Sequence, residues 1–220
     1  MNDNGINSNV STLHSPISTN HSKIGLILLA AGASHRMEKI QKQLLEFRGK
    51  TLLRHAAETA LASRCQPVCI VLGANAEKLR TEIVDLPIEI TFNQNWQTGL
   101  SSSLQAGLQK LLEIEPEIAA VCVMLADQPL VTSTIINKLT EVFERGKNPL
   151  VICQYAETAG VPVILAPILF DEIRELMGDA GAKKIIRKHF ALAAKLFVPE
   201  AALDVDTWED YERLKSFEEK

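Results

Sequence analysis

The stretch Ile24-Gly25-Leu26-Ile27-Leu28-Leu29-Ala30-Ala31-Gly32-Ala33-Ser34-His35-Arg36-Met37 decides how the rest of the chain is read. An apolar run stops abruptly at small residues and a glycine, and a serine, an arginine and then Lys42 follow. The pattern predicts a strand that opens into a tight loop with uncovered backbone N–H groups. Small side chains let an anion approach such a backbone, and Arg36 and Lys42 add positive charge, so the loop is suited to a polyphosphate. No Gly-Lys-Ser/Thr follows at the P-loop spacing. Gly32 also stands alone, without the glycine series of a dinucleotide-binding turn.

Beyond this stretch, short apolar runs alternate with amphipathic stretches. The predicted strands are Ile24–Leu29, Val68–Leu72, Ile88–Phe92, Ala119–Leu125, Leu150–Tyr155, Val161–Leu165 and Lys195–Val198. The predicted helices are Leu52–Ala62, Ala76–Val84, Ser102–Leu112, Thr132–Arg145, Pro167–Met177, Ala180–His189 and Thr207–Phe217. Alternation of this kind predicts an α/β fold: one mostly parallel sheet with helices on both faces, a three-layer Rossmann-like domain. Right-handed crossovers then bring the loops after the parallel strands to one edge, where ligands bind in open α/β sheets. Ala30–Lys42, Asp127-Gln128-Pro129 and Asp204-Val205-Asp206 all fall at that edge.

Composition narrows the class. The 220 residues suffice for one domain with a substantial core. Hydrophobic residues at 46% and charged ones at 23% are ordinary for a globular enzyme. A net charge of −4 without a long basic cluster argues against sequence-independent nucleic-acid binding, which needs many phosphate contacts. No apolar run approaches membrane-spanning length. Residues 1–22 are rich in Asn, Ser and Thr and lack a signal-peptide core, so they are expected to form a disordered tail before a domain spanning 23–220, and the expected location is cytoplasmic. Cys65, Cys69, Cys122 and Cys153 do not follow a zinc spacing and are expected to be buried reduced thiols.

Three further blocks carry candidate chemistry. In Met124-Leu125-Ala126-Asp127-Gln128-Pro129 a carboxylate follows a buried strand. It suits either a hard cation such as Mg²⁺ or an ordinary turn. Asp204 and Asp206 share a side if their segment is extended, and Thr207 with Asp210 also fits a capping box. In Gly99-Leu100-Ser101-Ser102-Ser103, hydroxyls lead into a helix. Such an end can hold a nucleotide, or Ser101 or Ser102 can simply cap it. Gly107, placed mid-helix, suggests close approach of a ligand or of another backbone. Gly178-Asp179-Ala180-Gly181 reads equally well as a helix–helix connector with Asp179 as cap.

Leu29-Ala30-Ala31-Gly32-x-Ser34-x-Arg36-Met37, followed by Lys42-Gln43-Leu44-Leu45, resembles the signature of the MobA-like nucleotidyltransferases. Within them the chain is most similar to the molybdenum cofactor cytidylyltransferases, from Ile24 to about Leu214. It departs from the family in having Glu38 where glycine is usual, and one extra residue before the lysine. Lys39 therefore competes with Lys42 as the phosphate-facing lysine, although the Lys-Gln-Leu-Leu context favours Lys42.

The resemblance implies a nucleotide-diphospho-sugar transferase-like fold. It implies that Leu29, Ala30, Ala31, Gly32, Arg36, Lys42, Gly99, Ser103 and Asp127 bind the nucleotide, with Arg36, Lys42 and Asp127 catalytic. It gives Asp127 and Asp206 to Mg²⁺, and Gly160, Pro162, Gly178, Asp179 and Gly181 to the acceptor. On the acceptor side Val161, Leu165 and Lys183 replace the family's usual polar residue, Phe and Arg. The implied reaction moves a cytidylyl group from CTP to the terminal phosphate of molybdopterin, and a molybdoenzyme or its maturation factor would be a partner. Leu-Ala-Ala-Gly favours CTP, because guanylyl members usually read Leu-Ala-Gly-Gly. The alternatives are a guanylyltransferase, a transferase using another phosphorylated acceptor, and a non-catalytic cofactor carrier. A carrier is expected to have lost the charged residues that Arg36, a lysine, Asp127 and Asp206 retain here. A phosphate nucleophile is already largely dianionic at pH 7, with a second pKa of about 6. It needs positioning and charge neutralisation rather than a general base, so no histidine is assigned a role.

Overall fold

A computed structural model of the chain describes residues 23–33, 40–155 and 158–218. The first strand, β1 (Ile24–Leu29), is buried on both faces. Ile24, Leu26, Leu28 and Ala30 enter one core cluster, while Ile27, Leu29 and Ala31 enter another. This two-residue alternation makes a central strand continuously apolar. A hairpin, β2 (Glu46–Phe47) and β3 (Lys50–Thr51), precedes α1 (Leu52–Leu61). Then come β4 (Val68–Leu72), α2 (Ala76–Thr81), β5 (Glu89–Phe92), α3 (Leu100–Ile114), β6 (Ala120–Leu125) and α4 (Ser133–Arg145). The C-terminal part adds β7 (Leu150–Tyr155), β8 (Thr158–Leu165), α5 (Phe170–Arg174), α6 (Ala182–Lys188), β9 (Ala194–Phe197) and α7 (Trp208–Lys215).

The seven-stranded sheet has the order β5-β4-β1-β6-β8-β7-β9. Helices α1, α2 and α4 pack on one face and α3, α5 and α6 on the other, so the three expected layers are present. Every pairing is parallel except those of β8, which runs antiparallel to both β6 and β7. That reversal matters for function. Leu165 pairs with Val121 near the start of β6, so the beginning of β8, with Gly160 and Val161, lies at the edge where β6 ends. A third, smaller core of Phe47, Leu52, Leu203, Val205, Tyr211 and Leu214 ties the hairpin to α7. The Thr207–Asp210 capping box is present at the α7 N-terminus.

The four cysteines are buried free thiols, and burial pushes Cys69 and Cys153 up to about 12. Among the described residues no helix is long and apolar enough to cross a membrane. The tail expected over 1–22 lies outside the described residues.

Candidate functional site

The described start of the loop after β1, residues 30–33, has the small buried residues and open glycine that its composition predicts. Leu29, Ala30 and Ala31 are buried, while Gly32 is exposed and a Cβ there would meet nothing within 4 Å. The Ala30 amide donates to Val71 O at 3.0 Å, and Ala31 O accepts from the Ala74 amide at 3.0 Å, so the loop leans on the end of β4. Arg36, with Ser34 and Lys39, falls outside the described residues.

Lys42 begins a short 3-10 turn, Lys42–Leu44. Its Nζ lies 2.5 Å from Asp127 Oδ2 and 2.7 Å from Asp206 Oδ1. The lysine side chain is 13% exposed, and those of Asp127 and Asp206 are 15% and 41% exposed. The structure therefore brings together three residues spread over 164 positions of chain. Burial pulls the ammonium pKa down, but the Asp127 carboxylate and then Asp206 more than offset this, and the net shift is upward. Lys42 is a permanent cation in this setting. The two acidic loops are stitched together by the Val205 amide, which donates to Asp127 O at 2.9 Å. Asp204 is pushed up to about 6, mainly by burial and then by the Asp127 charge.

The donor set fits a hard divalent cation. Asp127 Oδ2 and Asp206 Oδ1 share one cation already, and Asp127 Oδ1 is buried with no hydrogen-bond partner. Among the described residues no group of three or more His, Cys, Asp or Glu side chains forms a complete cage. Two carboxylates are what Mg²⁺ commonly takes when substrate phosphates and water supply its remaining ligands.

The serine block is arranged differently from the sequence expectation. Gly99, with φ +109, is the N-cap of α3, and no side chain caps the helix. Ser102 instead hydrogen-bonds Gly99 O at 2.8 Å. Ser103 is 2% exposed and accepts from Asn93 Nδ2 at 2.9 Å, so its hydroxyl braces the loop after β5 from inside. A Cβ on Gly107 would lie 2.5 Å from Ile27 Cγ2 and 2.9 Å from Val71 Cγ2. The close approach there is to the side chains of β1 and β4, not to a ligand or a backbone.

The residues that the resemblance gives to the acceptor fall in two places. Gly160 backs onto the Tyr155 hydroxyl, at the β6–β8 edge beside Pro162. Gly178, Asp179 and Gly181 surround the start of α3: a Cβ on Gly99 would meet Gly178 and lie 2.6 Å from Asp179 Oδ1. The Gly181 amide donates to Ser101 Oγ at 3.3 Å. Gly181, not Asp179, precedes α6. Sequence reasoning missed the buried amides around the site, namely Gln41, Gln43, Asn93 and Gln128. Gln128 donates to Val161 O at 3.3 Å and Ala201 O at 3.0 Å, joining β8 to the turn before the Asp204–Asp206 segment.

The mostly parallel sheet that carries this glycine loop, lysine and carboxylate pair has the fold of a solved nucleotidyl transferase from Methanothermobacter, with a TM-score of 0.74 at 17% identity, covering 89% of this chain and 97% of that one. Residues 26–193 match the MobA-like NTP transferase domain family, and the chain belongs to it. Nicotine blue oxidoreductase from Paenarthrobacter nicotinovorans is 32% identical, over 86% of this chain and 94% of that protein. A molybdenum cofactor guanylyltransferase from Shewanella sp. (strain W3-18-1) is 23% identical over 88% and 96%. The crystal structure of Rv0371c from Mycobacterium tuberculosis H37Rv superposes with a TM-score of 0.77 at 28% identity, covering 88% of this chain and 97% of that one, and Rv0371c also has a solved manganese complex.

Proposed function

We propose that this MobA-like nucleotidyltransferase transfers a cytidylyl group from CTP to the terminal phosphate of molybdopterin or its molybdenum form, with release of pyrophosphate. The observation that carries this reading is the Lys42 ammonium held between Asp127 and Asp206 beside the loop that ends β1. The loop Leu29–Gly32 receives the triphosphate through its backbone N–H groups. Lys42, with Arg36, neutralises the charge that builds as the acceptor phosphate attacks the α-phosphorus. Stabilisation of this kind requires charges placed in advance, and the part-buried ion pairs keep Lys42 in place. A divalent cation held by Asp127 and Asp206 would supply further charge neutralisation at the phosphates, and the manganese complex of Rv0371c supports a metal of that class. Gly160, Pro162 and the Gly178–Gly181 turn would face the acceptor. Molybdopterin as acceptor is supported by the guanylyltransferase relative, and CTP by Ala31 in the Leu-Ala-Ala-Gly loop.

Pyrophosphate release, measured with CTP, GTP and ATP in Mg²⁺ or Mn²⁺, with and without molybdopterin, tests the proposal. Turnover with CTP that requires molybdopterin is the expected result. Preference for GTP reassigns the nucleotide. No pyrophosphate from any triphosphate, together with redox turnover of nicotine blue, overturns the transferase reading in favour of an oxidoreductase like the 32% relative.

A further inference from the structure

Two glutamines flank Lys42, and both are buried, Gln41 at 7% and Gln43 at 3% exposed. Buried amides carry four hydrogen-bonding sites each and are costly where these are unmet, so their partners are informative. Asn75 Nδ2 donates to Gln41 Oε1 at 2.6 Å. Gln41 Nε2 donates to Gln43 Oε1 at 2.9 Å and to Gly32 O at 3.3 Å. Gln43 Nε2 donates to Gly32 O at 3.1 Å and Ala30 O at 3.5 Å. The bonds run in one direction, from the loop after β4 to the carbonyls of the loop after β1. Together with the Ala74 amide on Ala31 O, they occupy three successive carbonyls, those of Ala30, Ala31 and Gly32. Among the described residues the amides of Gly32 and Ala33 meet no acceptor.

We propose that Gln43, fed by Gln41 and Asn75, is a positioning residue for phosphate binding: it holds the carbonyls of Ala30 and Gly32 outward so that the loop presents N–H groups to the phosphates. An anion is repelled by a carbonyl and bound by an amide, and in a trans peptide the C=O and N–H point in opposite directions within one plane, so fixing one orients the other. The same turn sends the intervening Lys42 the other way, onto Asp127 and Asp206. The alternation Gln-Lys-Gln thus sets loop and lysine in one step. This role rests on the nucleotidyltransferase reading.

Gln43→Met keeps the length and volume and removes the donor. Asn75→Gly removes the head of the relay at φ 53, where glycine is at ease. Calorimetry with CTP, GTP and inorganic tripolyphosphate, each with Mn²⁺, reads the effect. Gln43→Met is expected to weaken all three alike by ~10-fold, the scale of one lost hydrogen bond that leaves a carbonyl unmet. Its KM should rise while kcat stays within about 3-fold of the parent, since the lost contact serves bound substrate and transition state equally. Asn75→Gly should weaken binding by ~3-fold, and the double variant should match Gln43→Met alone, because residues in one relay are not additive. Hydrogen exchange of the Ala74 amide, which bonds Ala31 O, should quicken in Gln43→Met, with Tm little changed. Unchanged binding in Gln43→Met, a loss confined to one nucleotide, or simple multiplication of the two effects overturns the relay. If Gln43→Met does not fold, parent-level binding by Asn75→Gly overturns it, and a ~3-fold loss supports it. A parent protein that binds none of the three probes refutes the nucleotidyltransferase reading and the relay with it, whereas a binding parent with an unaffected Gln43→Met variant refutes the relay alone.

Discussion

The loop after β1 is held by side-chain amides, with Asn75, Gln41 and Gln43 passing hydrogen bonds to its carbonyls. The turns at Gly160 and Gly178–Gly181 are held instead by missing Cβ atoms: Gly160 against Tyr155, Gly99 against Gly178, and Gly181 with its Cβ position 2.8 Å from Leu100 Cδ2. The two kinds of turn therefore respond to different changes. A hydrogen-bonded loop is altered by swapping chemistry at constant size, and a close-packed turn by adding a single carbon. Under the proposed function, only the first presents polar groups to a ligand.

Asp127→Asn removes charge without size and should abolish divalent-metal-dependent turnover, a loss of at least ~1,000-fold, or about 4 kcal/mol of barrier, with far-UV circular dichroism unchanged. An active Asp127→Asn enzyme would remove this carboxylate from the chemistry. Gly99→Ala adds size without charge at φ +109, against Gly178 and Asp179. Strain and overlap together should cost about 3 kcal/mol in urea unfolding, and a neutral result would mean that the turn yields freely. Lys42→Ala should reduce kcat for pyrophosphate release by ~100-fold, the scale of one preorganised stabilising group, while Lys39→Ala changes it little. The reverse outcome would move the phosphate-facing role to Lys39.

Gly107→Ala sets a helix gain of about 1 kcal/mol against overlap with Ile27 and Val71. The β-branched neighbours are stiff, so a net loss of ~1 kcal/mol is expected; a more stable variant would show that the α3–sheet contact has slack. The smallest effect concerns His55, whose Nε2 donates to Pro129 O at 3.0 Å and whose ring packs edge-on to Phe47. Burial holds its pKa below the ordinary 6.5, although the Pro129 bond pulls the other way. Below that value the unfolded chain takes up a proton that the folded chain resists. Stability should therefore fall as pH drops from about 6.5, and His55→Gln should flatten that slope in urea titrations between pH 5 and 7. A parent protein without the slope would mean that His55 protonates in place.

Much of the frame was legible because local rules dominate in it. The strands Ile24–Leu29, Val68–Leu72 and Leu150–Tyr155 have the bounds expected from their apolar runs, and Thr132 and Thr207 cap the helices they were expected to open. β8 begins at Thr158 rather than Val161, since its first residues are ordered by pairing with β7 and not by their own hydrophobicity. The β2–β3 hairpin went unread: two-residue strands have no period, and only Arg48 and Gly49, with φ 52 and 73, mark the turn. The convergence of Lys42, Asp127 and Asp206 could be anticipated from strand topology. Gln41, Gln43, Asn75 and Asn93 could not, because a side-chain amide is compatible with surface, loop or core until its partner is known.

The 2.9 Å bond from the Val205 amide to Asp127 O joins two segments far apart in the chain. Every strand of the main sheet precedes Val205. A chain emerging N-terminus first from the ribosome therefore exposes all its strands and the loop after β1 before the segment that carries Asp206. Of the three side chains that meet at Lys42, the Asp206 carboxylate is the last to be made.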